Sequence, residues 1–109
     1  MLVEHRGRRP DIDPGAWIAP TAVVCGDVRV AAGARILWNA VVTAEDGSVE
    51  IGERCVVMEH ALIRGRAAHP VVISRDVLIG PHAHVNRRAH RRRGVHRHRG
   101  RAVPRRDGR

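Results

Sequence analysis

Imidazoles, carboxylates and thiols are the side chains of this sequence that could do chemistry, and they cluster unevenly. His60, His82 and His84 fall in one stretch, with Glu59 directly before the first of them and His69 between. Neutral imidazole nitrogens are what zinc prefers, and three of them would leave a coordination position open for an activated water. The spacing of His60, His82 and His84 fixes no third ligand, however. They read first as exposed or interface histidines, and a metal held by His60, His82 and His84 is the alternative; only in that case is zinc expected, and otherwise no cofactor. His69 could serve as a general base, although a histidine beside Pro70 also fits a plain loop residue. Glu59 and His69 are therefore the candidate catalytic residues, and no cofactor-binding residue can be named. Cys25 and Cys55 are too few for a disulfide framework and are expected to remain free thiols.

Whatever positions these groups must be built on a period of six. Aliphatic residues recur at Ile18, Val24, Val30, Ile36 and Val42, then after a three-residue insertion at Ile51, Val57 and Ile63, and after a four-residue insertion at Ile73, Ile79 and Val85. Four places after each stands a second, mostly small residue: Ala22, Val28, Ala34, Ala40, Cys55, Ala61, Ala67, Val77 and Ala83, with Asp46 as the exception. A helix needs spacings of three and four and a two-sided strand needs alternation, so neither template fits. A triangular parallel β-helix does. Each hexad supplies a short strand and a corner, the aliphatic side chain points inward, and three hexads close one coil.

From Ile18 the count predicts an all-β domain over 18–86 with about three and a half coils. Residues at equal offsets in successive coils should stack, which places His60 above or below His82 and Arg64 beside Asn86. The insertions near Glu45-Asp46-Gly47 and Ala67-Ala68-His69-Pro70 should bulge outward as loops. Residues 1–17, with Pro10, Pro14 and Gly15, read as an irregular lead-in, and Trp17 is a candidate cap for the first coil.

The formal charge of +9 is not spread over the chain. Residues 1–86 carry nine Arg against ten carboxylates, whereas residues 87–109 carry eleven Arg against Asp107 alone. The repeat body is thus near neutral, which excludes it as a general polyanion binder, and only the tail could bind nucleic acid, through phosphates and without aromatic residues for base stacking. The Arg/His-rich tail over 87–109 could not bury enough apolar surface to fold alone and reads as disordered. Out-of-frame translation of a GC-rich frame is the other reading, because Lys, Phe and Tyr are absent from the chain and the hexad register ends where the charge jumps. The N-terminal residues lack an apolar signal core and no apolar run approaches a membrane span, so a cytoplasmic protein without a membrane partner is expected.

The runs Ile18-Ala19-Pro20-Thr21-Ala22-Val23, Gly26-Asp27-Val28, Ile36-Leu37-Trp38-Asn39-Ala40-Val41-Val42, Pro70-Val71-Val72-Ile73 and Val77-Leu78-Ile79-Gly80 resemble the gamma-class carbonic anhydrases. These are left-handed β-helices of hexapeptide repeats, related to hexapeptide acyltransferases. The resemblance implies a homotrimer with zinc between subunits, held by three histidines. At the matching positions this chain has Arg64, Pro81 and Asn86: a permanent cation, a side chain with no donor atom, and a weak ligand. Thr43-Ala44-Glu45 matches the family's Arg-Gly-Asp, and Met58-Glu59 its Gln-Asp, so one carboxylate is kept while the arginine and the glutamine are lost.

The resulting expectation is a gamma-carbonic-anhydrase-like protein, ended early or frameshifted, with no metal at Arg64, Pro81 and Asn86 and no carbonic anhydrase activity. An acyltransferase using acyl-CoA is the alternative within the repeat class, and a nucleic-acid-binding protein acting through the tail is a third. The small-molecule substrate is not legible.

Overall fold

The computed structural model of the chain describes residues 1–87 and 102–104. The first coil consists of β1 (Leu2–Val3), β2 (Asp11–Ile12) and β3 (Trp17–Ile18), and the second of β4 (Val23–Cys25), β5 (Val28–Val30) and β6 (Arg35–Ile36). β7 (Val41–Thr43), β8 (Val49–Ile51) and β9 (Val56–Val57) make the third; β10 (Leu62–Arg64), β11 (Val71–Ile73) and β12 (Val77–Ile79) make the fourth. β13 (His84–Val85) opens a fifth. The sheets run across the coils in the orders β1-β4-β7-β10-β13, β2-β5-β8-β11 and β3-β6-β9-β12, all parallel, which is the three-faced β-helix the period of six predicts.

Register follows the aliphatic series rung by rung. Val24 pairs with Val42 and Ile63 with both Val42 and Val85; Ile51 lies between Val30 and Ile73; Val57 lies between Ile36 and Ile79. Apart from Ile18, which packs half-buried against the core at its N-terminal end, every member is at most 2% exposed. Ala22, Ala34, Ala40, Cys55, Ala61 and Ala83 fill the tightening corners, and among the described residues no polar or charged residue is buried. Such a core needs no aromatic residue, because each rung contributes one branched aliphatic to a narrow prism.

Three sequence expectations need correction. The irregular lead-in over residues 1–17 is instead the first coil: β1 pairs with β4 and β2 with β5. Ile12 and Ile18 pack against the core, and Leu2, 54% exposed at the open end, stands in register with Val24; the step from Leu2 to Ile12 hides the period because a loop bridged between His5 and Arg8 interrupts it. An equivalent loop, bridged between Arg66 and His69, follows Ile63 two coils beyond β4. With the extra coil the helix has four coils and the opening strand of the next, rather than three and a half.

Ala67 is exposed, not part of the small inward row; after each insertion a valine resumes the wall, giving the ladder Val28, Val49, Val71. Trp17 does not close the first coil. It points out of β3, 41% exposed, meets the 45% exposed Trp38 edge to face at 5.4 Å between ring centres, and lies under the Arg35 guanidinium at 6.0 Å. Strand alternation forces this, since Ile18 beside it takes the inward position.

The insertions bulge at the corner between the first and second sheets, as expected, and residues 66–70 are all exposed. Cys25 is half-buried on the outer face; Cys55 is buried, and its thiol donates to the Ser74 carbonyl at 2.9 Å. β14 (Ala102–Pro104) runs antiparallel beside β12, with Leu78 opposite Val103. Otherwise the expectation of a disordered or out-of-frame tail, and of nucleic-acid binding through it, lies outside the described residues beyond Arg87. Among the described residues no helix is long and apolar enough to cross a membrane.

Candidate functional site

Outward side chains of the first sheet form two ladders. Val23, Val41, Leu62 and His84 make one; Val3, Cys25, Thr43 and Arg64 make the other. Ile63 pairs with Val85, and Asn86 follows Val85 as Arg64 follows Ile63, so the two hold equivalent positions in successive coils. Pro81 stands apart from them, exposed at the corner between β12 and β13. The Arg64 guanidinium is half-exposed, and its Nε lies 3.1 Å from a Glu45 carboxylate oxygen. That nitrogen is itself buried and out of line for a hydrogen bond, so the contact is an ion pair.

Zinc does not suit this set. A guanidinium has no lone pair to offer and a proline side chain has no donor atom, which leaves one amide from Asn86. The Arg64–Glu45 pair was not foreseen from sequence, although the signal existed: Arg64 lies in register with Thr43, and Glu45 is two residues further along that coil.

The corner between the third and first sheets carries the histidines. Asn39, His60 and His82 occupy equivalent positions in successive coils, each with a left-handed backbone, at φ of 62°, 61° and 62°. Asparagine tolerates that conformation well and histidine better than most. Backbone bonds lock the rungs: the His60 amide donates to the Trp38 carbonyl at 3.2 Å, and the His82 amide to the Glu59 carbonyl at 3.1 Å. The two imidazoles stack, 5.0 Å between centres and 3° from parallel. His84, two residues on, projects from β13 on the outer face of the first sheet. Among the described residues no three His, Cys, Asp or Glu side chains of one chain are grouped to hold a metal ion.

Glu59 is half-buried immediately before His60, and the structure leaves His69 elsewhere, exposed in the second insertion with its backbone paired to Arg66. The two candidate catalytic residues therefore occupy different corners of the prism. Near His69, the Asp46 carboxylate accepts the Ala67 amide at 2.9 Å. That bond, with smaller contributions from Arg6 and Arg66, holds its pKa below the ordinary 3.8.

No family model matches the chain. Individual relatives do. Gamma carbonic anhydrase 3, mitochondrial, of Arabidopsis thaliana is 30% identical over 82 residues, covering 70% of this chain and 32% of the relative. A carbonic anhydrase of Geobacillus kaustophilus is 25% identical over 80 residues, covering 73% of this chain and 44% of its own. Taken with the three-faced coil, these matches decide the family. The chain belongs to the gamma-carbonic-anhydrase-like hexapeptide-repeat proteins.

This family also reaches proteins named as transferases: the uncharacterized transferase YtoA of Bacillus subtilis is 26% identical over 80 residues, 73% of this chain and 47% of that protein. The chain spans about a third of the plant relative's length and less than half of either bacterial one.

Proposed function

We propose that this protein is a gamma-carbonic-anhydrase-like hexapeptide-repeat protein whose inherited zinc positions, Arg64, Pro81 and Asn86, hold no metal, and that it does not hydrate carbon dioxide by the family's route. One observation supports the reading: Arg64 follows Ile63 as Asn86 follows its register partner Val85, so the two hold equivalent positions on successive rungs, and Arg64 is paired with a Glu45 carboxylate at 3.1 Å. A guanidinium in that place supplies positive charge but no open coordination site and no ionisable water.

The protein assembles as a homotrimer and works as a scaffold or in another reaction, in the cytoplasm. Support for self-association comes from the outer faces beside the histidine corner, where Val23, Val41, Leu62, Val56 and Leu78 are only half-buried and both tryptophans are exposed. Exposed apolar area of this kind marks interaction surfaces. The transferase name of the Bacillus subtilis relative favours a second reading, an acyltransferase that takes acyl-CoA with His69 or Glu59 as base.

Metal analysis of the purified protein together with a carbon dioxide hydration assay tests the first reading. Less than a tenth of an equivalent of zinc bound through Arg64, Pro81 and Asn86, with hydration at the buffer rate, is the expected result. Stoichiometric zinc lost on Asn86→Ala, with hydration above buffer, would overturn it. Retention on immobilised coenzyme A, released by free acetyl-CoA, would establish the transferase reading instead.

A further inference from the structure

We infer that His60 and His82 form a binding site for one divalent transition-metal ion at the corner of the prism between the two faces assigned above to self-association, separate from Arg64, Pro81 and Asn86. Both rings are exposed, and they stand parallel at 5.0 Å on adjacent rungs whose backbones are fixed by left-handed φ values and amide bonds to Trp38 and Glu59. A metal–imidazole bond of ~2.0–2.1 Å lets one ion bridge two ring nitrogens up to ~4.2 Å apart. Each ring's lone pair lies in its own plane, so both rings must turn out of the parallel stack about their side-chain torsions before one ion can meet a nitrogen of each. Nothing buried has to move.

Rigid rungs are what make the pair a chelate. In an unfolded chain, residues 60 and 82 would pay loop-closure entropy to meet, whereas here the coil repeat has already placed them. Two imidazoles leave the other coordination positions to water, an arrangement suited to Cu²⁺, which heads the divalent affinity order for nitrogen ligands, then to Ni²⁺ and Zn²⁺.

Titrating Cu²⁺ alone into the full chain and following histidine ring resonances by NMR tests the site locally, so that His90, His96 and His98 do not obscure it. Paramagnetic broadening of His60 and His82 should appear together, at less than one equivalent. The informative variants are His60→Asn and His82→Asn, because Asn39 already holds the same left-handed position in the preceding coil and the backbone should persist. In His82→Asn the His60 ring should need at least tenfold more Cu²⁺ to broaden, and the reverse in His60→Asn. Broadening of the remaining ring at an unchanged Cu²⁺ concentration, or of neither ring in the parent protein below ten equivalents, would overturn the inference.

Discussion

A β carbon on Gly65 would sit 2.3 Å from the Ser48 carbonyl oxygen, and one on Gly47 would sit 2.3 Å from the Arg66 backbone. The two insertions approach each other across one coil at these points, and backbone cannot give way as a side-chain tip can. Gly65→Ala should therefore destabilise the protein by about 1–3 kcal/mol, read from the midpoint of urea unfolding, while Gly7→Ala, with nothing within 4 Å, meets only the strain of its φ of 76°. Asp46 ties the same loops through the Ala67 amide. Its folded pKa is lowered, so its contribution is complete above the ordinary 3.8 and is lost as pH falls through the lower folded value. The Ala67 amide shift should accordingly titrate with a midpoint below 3.8, and Asp46→Asn should abolish that titration.

Rungs, rather than individual residues, carry the stability of each face. Ile63 is fully buried between Val42 and Val85, so truncation leaves a void that neighbours locked in their own coils cannot fill. Ile63→Ala should cost about 2–5 kcal/mol, seen as a lower urea midpoint with an unchanged slope. By contrast, Arg54→Ala removes a pairing with Asp76 at 2.8 Å that lies at the surface, with Arg54 52% exposed, and should lower the urea midpoint far less. A core loss several times the surface loss is what a helix held by its interior requires.

Assembly belongs to the whole molecule. The half-buried Val23, Val41 and Leu62 on one sheet and Val56 and Leu78 on the next flank a single edge of the prism, with Trp17 and Trp38 exposed nearby. Light scattering at micromolar concentration should give three times the 12.1 kDa chain mass, and Leu62→Glu should shift it toward one. Installing histidine together at Arg64, Pro81 and Asn86 should recover zinc binding in the trimer but not in the Leu62→Glu background, because Pro81 lies on a different edge from the Arg64–Asn86 ladder and would have to be supplied by a neighbour. Zinc retained by the monomer would refute the shared-site geometry.

The residue pattern alone dictates the prism from Ile18 onward: a period of six with one branched aliphatic per rung leaves a single way to bury every such residue, and it also stacks His60 on His82. It did not yield the first coil, since the loop between Leu2 and Ile12 breaks the period and two or three apolar residues without a register look like a lead-in. Nor did it show that Val49 and Val71, rather than Asp46 and Ala67, resume the wall after the insertions. Where an insertion ends is settled by which residue can reach the rung below it, a contact between coils about twenty residues apart. The Glu45 contact to Arg64 has the same origin. Side chains on successive rungs become neighbours only when the loops between them have chosen their paths, and local residue preference does not encode that choice.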